Sequence, residues 1–224
     1  MMVGKEIVMA RLNYDLQLKE LKNQMLLLGS MIEEVVQVTV HALMKQNVDE
    51  AKEIAGGDDK INAQVRKIEQ ECYTLLLRQQ PIAKDLRTVS AALKMITDME
   101  RIGDHGTDIS ELTILMSNSS YPEIISLIEK MAKETSVMLI AAVDAFAEEN
   151  ALKAEEVIRK DDVVDELFLK VKNSIAQSIK TSDTDAMQEL DLLMVAKYFE
   201  RIGDHATNIA EWVLFSINGE LPKD

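Results

Sequence analysis

Apolar residues recur along the chain at steps of three and four, the spacing of amphipathic helices that pack nearly antiparallel. The pattern predicts a long helix over residues 13–46, a short one over 47–57, and two further helices over 58–80 and 82–117. Paired glycines close the short helix, and a proline interrupts the chain after the third. The inward side of the first helix is formed by Leu18, Leu21, Met25, Leu28, Ile32, Val35, Thr39 and Ala42.

The second half of the chain repeats this order of elements. Asn150 stands 103 positions after Asn47 and, like it, caps the start of a short helix. A further long helix follows, and the pair at 182–183 caps the last helix, which ends at 218–219. The chain is therefore an internal duplication, and this period determines the fold.

The duplication predicts an all-α fold of two tandem antiparallel three-helix bundles, similar in plan to spectrin repeats, with one short helix in the first connection of each unit. The domains are residues 1–117 and 121–224, and the polar stretch between them is the linker. The composition agrees, because glycine (8), proline (3) and aromatic residues (4%) are scarce.

Charge and composition exclude several classes of function. The formal net charge of −14 argues against a nucleic-acid partner, since no stripe of Lys and Arg offsets it. The single cysteine, Cys72, excludes an internal disulfide and fits a core position in a protein of a reducing compartment. The sequence shows neither a signal peptide nor an apolar run near the length of a membrane span. We therefore expect a soluble, cytoplasmic protein.

One twelve-residue string occurs twice, at 100–111 and 200–211, with nine positions identical. Packing does not require the Glu, Arg, Asp and His that the repeat preserves, so the string indicates chemistry or recognition. On a helix, Glu100 and Asp104 continue the apolar stripe of the preceding turns. Because acids one turn apart repel and their burial is costly, a cation is implied.

A second set of acids is predicted to meet these motifs. Asp161 and Asp165 lie one turn apart, where the first unit has Asp58 and Asn62. If their helices pack against the motif helices, each unit brings carboxylates face to face, a donor set that suits iron, manganese, zinc, magnesium or calcium. The candidate metal ligands are Asp58, Glu100, Asp104, Asp108, Asp161, Asp165, Glu200 and Asp204.

The two predicted sites differ in their ligands. Asn62 leaves the first site one acid short, and Asp108, near the edge of the same helix face, restores the count of four where the second unit has Asn208. We expect comparable occupancy by a divalent or multinuclear metal, with the first site the weaker. The alternative is a polar network in which Arg101 and Arg201 supply the positive charge.

Other polar residues of the motif region have more than one interpretation. His105 and His205 project away from the acids, so we expect them to support the metal ligands indirectly or to contact a partner. Lys84, Asp85 and Arg87, ahead of the first copy, form either an ion-pair cluster or a docking patch.

Each motif helix is also apolar on the side opposite its acids, where Ile102 and Ile109 have the counterparts Ile202 and Ile209. A helix that is apolar on two sides is usually buried on both. The outer stripes therefore pack against each other or against a second subunit, and we expect a homodimer.

These residues resemble the PhoU family of phosphate-uptake regulators over nearly the whole chain. The marks of the resemblance are the doubled Glu-Arg-Ile-Gly-Asp-His string, the segment Gln-Pro-Ile-Ala-Lys-Asp-Leu-Arg at 80–87, and the acidic openings at Asp58 and Asp161. The resemblance implies a cytoplasmic, non-enzymatic protein, often dimeric, that binds multinuclear metal through (Glu/Asp)-xxx-Asp motifs. It also implies restraint of phosphate uptake and of the phosphate-starvation response, through the phosphate-specific ABC transporter and its membrane-bound sensor histidine kinase.

Two other functions compete with this one. Carboxylate pairs in a helical bundle also build di-metal oxidoreductases, but those place a Glu three residues before a His, and none of His41, His105 and His205 has one. An inert helical scaffold would have no reason to repeat the acids. A regulatory protein without enzymatic activity is the favoured interpretation.

Overall fold

A computed structural model describes residues 2–57, 59–78, 83–117, 121–181 and 185–220, without the side chains of residues 2–10, 78 and 181. The helices of this part of the chain are α1 (Met2–Lys45), α2 (Val48–Ala55), α3 (Asp59–Arg78), α4 (Ala83–Leu115), α5 (Ile125–Glu148), α6 (Ala151–Thr181) and α7 (Ala186–Asn218). One bundle consists of α1, α3 and α4, with α2 packed against α1 and α4, and the other consists of α5, α6 and α7. The predicted all-α fold of two tandem three-helix bundles is confirmed.

The duplication is also visible in the backbone of the first connection between helices in each unit. Gln46 and Glu149, 103 positions apart, both have left-handed conformations, with φ of 51° and 53°. Each is followed by an asparagine whose side chain caps the next helix: Asn47 accepts from the amide of Glu50, and Asn150 from that of Lys153. Both units therefore reverse the chain in the same way.

The second unit lacks the separate short helix that the duplication predicts for it, because α6 runs unbroken from Ala151 to Thr181. In the first unit Gly56 and Gly57 end α2, and Gly57 has a φ of +86°, which side chains with a Cβ rarely adopt. The positions 103 residues later are Arg159 and Lys160, which are good helix formers. Without the glycine break, the two predicted helices are one.

The ends of α1 and α7 also differ from the prediction. Helix α1 begins at Met2, not near residue 13, because residues 2–12 contain no proline and continue the helix ahead of the core-facing stretch. Helix α7 is capped by Asp185, whose side chain accepts from the amide of Met187, 3.0 Å away. The predicted cap at 182–183 lies outside the described residues. Gly219 ends α7 as predicted, with its amide bonded to the carbonyl of Phe215.

The two bundles pack through α4 against α7 and through α1 against α5. The isoleucines of both outer stripes are fully buried, namely Ile102, Ile109, Ile202 and Ile209. Of the two predicted partners for these stripes, the other motif helix is therefore the one observed. Helices α1 and α5 approach closely at Gly29, where a Cβ would lie only 2.9 Å from Cγ1 of Val143.

Helix α1 is strongly apolar, although it contains no long uninterrupted run of apolar residues. By length and composition alone, the part from Arg11 to Lys45 could cross a membrane. Its apolar side nevertheless fills the first bundle, since Leu21, Met25 and Leu28 are fully buried. The apolar residues of α1 thus form part of the core of the first bundle.

Cys72 is a core residue, as predicted. The side chain is fully buried, and burial raises the pKa of its thiol to about 12. The thiol therefore stays protonated and packs as a small apolar group.

Candidate functional site

Four carboxylates of the second unit gather where α6 packs against α7. Asp161 and Asp165 come from α6, and Glu200 and Asp204 come from the motif on α7. Gly203 lies at this contact, where a Cβ would be 3.4 Å from Oδ1 of Asp161.

Burial and mutual repulsion raise the pKa values of three of these acids. Desolvation is the largest cause for Asp161, whose pKa is raised to about 6, and the charges of Asp204 and Asp165 add to the effect. Desolvation followed by the charge of Glu200 raises the pKa of both Asp165 and Asp204. Such a cluster is short of positive charge, so a bound cation would stabilise it.

A lysine supplies part of the missing charge. Nζ of Lys197 lies 2.6 Å from Oε1 of Glu200 and also contacts the other carboxylate oxygen. Arg201, the predicted internal cation of a polar network, is exposed. One ammonium group does not balance the charge of four carboxylates. The cluster therefore keeps a net negative charge that a further cation could neutralise.

The first unit has an open cleft of about 890 Å³ at the corresponding place, between α1, the α2–α3 turn and the motif on α4. Gly57 lies at its edge, so the cleft opens where the first unit has a helix break and the second does not. Lys60 and Arg101 are the basic residues of the lining. Its acidic residues are Glu34, Glu53, Asp59, Glu100, Asp104 and Asp108.

The stripe pattern predicts buried acids in both units, but Asp104 and its counterpart Asp204 are both exposed. The side chain of Asp104 is 52% exposed and pairs with Arg101, whose Nη1 is 3.0 Å from its Oδ2. Asn62 lines the same cleft as Glu100 and Asp104, as the duplication requires. Asp58 lies outside the described residues. The arginine of the polar-network alternative is therefore in contact with an acid in this unit.

Among the described residues, no group of three or more His, Cys, Asp or Glu side chains is arranged so that it could hold a metal ion. The acids of the second unit are close enough to repel one another but do not converge on one point. Carboxylate oxygens are nevertheless the donors that hard cations prefer. The donor set fits a divalent cation in chemistry and charge, and binding would require some side chains to change rotamer.

His105 and His205 lie at the contact between the two bundles, with ring centroids 5.6 Å apart. Nδ1 of His205 is 2.9 Å from Oδ1 of Asp98 on α4, and Nδ1 of His105 is 3.2 Å from Oδ2 of Asp108 on its own helix. Burial lowers the pKa of His105. Both histidines thus contact the opposite unit of the same chain.

Lys84 and Asp85 form ion pairs within the chain, which is one of the two alternatives predicted for them. Nζ of Lys84 is 2.7 Å from Oε2 of Glu149, in the turn between α5 and α6. The buried carboxylate of Asp85 pairs with the guanidinium group of Arg11 on α1. Arg87 packs against the end of α7. These residues connect the start of α4 to three other parts of the fold.

Two polar contacts of this region were missed by the sequence reasoning. Lys197 lies three residues before Glu200, a spacing that pairs side chains on a helix and would have indicated the contact. Asp98 and His205 are 107 residues apart, and no local pattern connects them. Only the packing of the two units reveals that pair.

The chain is similar to known proteins over nearly its whole length. Residues 25–113 and 128–213 each match the family model described as PhoU domain. The phosphate-specific transport system accessory protein PhoU homolog of Clostridium acetobutylicum is 34% identical over 213 residues, which cover 95% of this chain and 97% of the relative. The PhoU homolog of Aquifex aeolicus is 32% identical over 207 residues, 92% of this chain and 94% of the relative.

Solved structures agree with these relatives. The crystal structure of PhoU from Pseudomonas aeruginosa superposes with a TM-score of 0.87 at 29% identity, covering 92% of this chain and all (100%) of that one. The phosphate transport system regulatory protein PhoU from Streptococcus pneumoniae gives a TM-score of 0.87 at 28% identity, covering 94% of this chain and 99% of that one.

Proposed function

The chain belongs to the PhoU family, and we propose that it is an accessory protein of a phosphate-specific transport system that restrains phosphate uptake. The observation that carries the proposal is similarity along nearly the full length to relatives named as accessory proteins of such a system. The match includes both halves of the duplication, so the whole two-bundle unit is shared.

In this proposal the protein acts in the cytoplasm on two membrane-bound targets, the phosphate ABC transporter and a sensor histidine kinase. It holds down the phosphate-starvation response while phosphate is plentiful, and it does so as a homodimer without enzymatic activity of its own. The disposition of the repeated motif supports an adaptor: its isoleucines and histidines join the two units, and its acids lie at two accessible places. The acidic charge of the chain suits binding to basic protein surfaces.

Metal binding is the second part of the proposal. In the second unit Asp161, Asp165, Glu200 and Asp204 would hold a divalent or multinuclear metal, and the raised pKa values of three of them support this assignment. The bound metal would supply positive charge that neutralises the repulsion between α6 and α7. This chain's own residues supply carboxylate oxygens on two facing helices, so that a cation between them would join the helices.

In the first unit the ligands would come from Glu100, Asp104 and Asp108, which line one cleft, and from Asp58. Before Asp104 ligates, it has to exchange its partner Arg101 for the metal. The first site is therefore proposed to be the weaker one.

Deletion of the gene in its own host tests the regulatory role. The expected result is raised alkaline phosphatase expression and raised phosphate uptake in phosphate-replete medium, both reversed by the wild-type gene. Unchanged expression and uptake would contradict the proposal. Complementation with Asp204→Asn then separates the two parts: full repression by this variant would leave the regulatory role intact and remove its dependence on the second metal site.

A further inference from the structure

Four large apolar side chains are exposed together at one end of the contact between α4 and α7. Leu115 is 72% exposed, Met187 67%, Leu190 45% and Met194 44%. We call this group the methionine patch. Met187, Leu190 and Met194 follow each other at helical spacing on the solvent side of α7.

The register of the two helices places Leu115 beside this stripe. Helices α4 and α7 are antiparallel, since Lys94 lies over the ring of Trp212, 5.8 Å from its centroid, while Asp98 meets His205 further along. Continuing the same register brings Leu115, at the end of α4, opposite Leu190, near the start of α7. The four exposed side chains therefore lie at the same level of the two helices, and we infer that they form one surface.

The duplication provides an internal control for this surface. One hundred positions before the three α7 residues, α4 carries Arg87, Ser90 and Lys94. At that end of the contact Lys94 lies over the ring of Trp212, and α4 contacts α7 with polar side chains at these three positions. The bundle fold thus does not need apolar residues at these positions, and their exposure at the other end needs a different explanation.

Acidic residues border the patch. Glu111 is exposed one turn before Leu115 on α4, and Asp185 and Asp191 flank the stripe on α7. The basic side chain next along α7, Lys197, is already held by Glu200. An occupant of the patch therefore meets an apolar centre and a negative rim, on a chain of formal net charge −14.

We propose that the methionine patch binds a basic amphipathic helix of a partner protein, with apolar side chains on the patch and Lys or Arg beside its acids. Methionine side chains are flexible and polarisable, so they adapt to helices of different sequence. A second copy of this chain fits less well, because it would bring the same acids to the contact. The inference rests on the patch itself and does not depend on the role in phosphate transport.

A synthetic peptide tests the proposal on the full-length protein. The probe is a fluorescein-labelled Leu/Lys helix of about five turns, and the charge control is a Leu/Glu helix of the same pattern. Fluorescence anisotropy at physiological salt should show binding of the Leu/Lys peptide only. The variant Leu190→Ser/Met194→Ser, which keeps the charge, should weaken that binding about tenfold or more, equal to about 1.4 kcal/mol.

The matched control is Leu77→Ser/Leu152→Ser, which removes two exposed apolar side chains elsewhere and should leave the affinity unchanged. Circular dichroism at the assay temperature should show every variant fully folded, with a lower melting temperature for Leu190→Ser/Met194→Ser because these two side chains are only 45% and 44% exposed. Equal binding of the Leu/Glu peptide, equal loss in the control variant, or no binding of the Leu/Lys peptide would each overturn the proposal. Dissociation of an oligomer by Leu190→Ser/Met194→Ser, seen in light scattering, would overturn it too and assign the patch to self-association.

Discussion

His205 of the second motif donates a hydrogen bond to Asp98 on α4, across the contact between the two bundles, with 2.9 Å between Nδ1 and Oδ1. Asn208 donates to the same oxygen from one turn further along, at 3.1 Å. One carboxylate of the first unit thus pairs with two side chains of the second. The motif therefore has acids on one side and the contact between units on another, and the pair of His105 with Asp108 connects the two in the first unit.

Replacement of Asp98 by Ala should destabilise the protein by about 1–3 kcal/mol, because it leaves the half-buried ring of His205 without its acceptor and removes the bond from Asn208. Urea denaturation measures the change. The matched control is Glu166→Ala, which removes an exposed ion pair with Lys170 and should cost less than about 1 kcal/mol. Equal effects of the two substitutions would contradict a structural role for the Asp98 contact.

The metal-free protein should become more stable as the pH falls from about 6 toward 3.8, because of the acids of the second unit. The first value is the pKa of Asp161 in the folded protein, and the second is its ordinary pKa. A pKa raised on folding means that the folded state binds the proton more tightly, so its contribution is present below the unfolded value and is lost as the pH rises through 6. Thermal melts in chelator across this range measure it. Asp161→Asn should remove the contribution and stabilise the metal-free protein at pH 7 by about 1 kcal/mol, a value discounted for solvent screening.

Asp162→Asn, on the exposed side of the same helix turn, is the control and should change the pH profile much less. A bound divalent cation should abolish the gain at low pH, since it restores a low pKa to the cluster. Destabilisation of the metal-free protein by Asp161→Asn at pH 7 would show that hydrogen bonds to the Asp161 carboxylate outweigh the repulsion between the acids.

Glu149 should act in the opposite direction. Hydrogen bonds from Lys22 and Lys84 lower its pKa to about 2, so its contribution is present above the ordinary value of 4.5 and is lost as the pH falls toward 2. Because the side chain is partly exposed, we expect less than about 1 kcal/mol. Acid denaturation of Lys84→Met and Glu149→Gln, alone and together, measures it. The double variant should cost little more than either single one, and additive losses would contradict the pairing.

Elemental analysis should find metal in the purified protein, with part of it lost in each of Asp104→Asn and Asp204→Asn. Each substitution removes a carboxylate of only one unit, so each should remove only that unit's share. During titration with a chelator the first site should empty first, because Asp104 is more than half exposed and paired with Arg101. If the wild-type protein is free of metal and fully stable, the metal assignment is wrong and the acids form a polar network instead.

Gly29→Ala should destabilise the contact between α1 and α5. The added methyl group would lie 2.9 Å from Val143, and such overpacking costs about 1–3 kcal/mol, partly offset by about 1 kcal/mol of helix propensity. Val143→Ala should relieve the clash, so the double variant should be more stable than the sum of the two single losses indicates. Urea denaturation of the three variants gives the coupling energy. Strict additivity would mean that the helices move apart instead.

The sequence predicted the parts of the fold that repeat. Apolar spacing indicated the long helices, and the interval of 103 residues indicated matching caps at Asn47 and Asn150, which the structure shows with the same left-handed turn before each. The outer isoleucine stripes were recognised from a second apolar side on the motif helices. These features follow from local periodicity, which one sequence contains in full.

The errors lie where the two units differ. The second short helix was predicted from Asn150 by analogy, although Arg159 and Lys160 stand in place of the glycines that end α2. The cleft beside the same glycine break was not predicted either. Contacts between units, such as Asp98 with His205, depend on how two surfaces dock and have no signature in either segment.

The break at Gly57 gives the first unit a segment that can open on its own. Helix α2 is eight residues long, and among its residues only Ala51 is buried, so less apolar burial opposes its detachment than that of the longer helices. Its amide hydrogens should therefore exchange with solvent by local opening, far faster than those of residues 151–158, whose hydrogen bonds continue without interruption into α6. We therefore expect the two repeated units to differ in motion, with local opening beside the acids of the first unit and none at the corresponding place in the second.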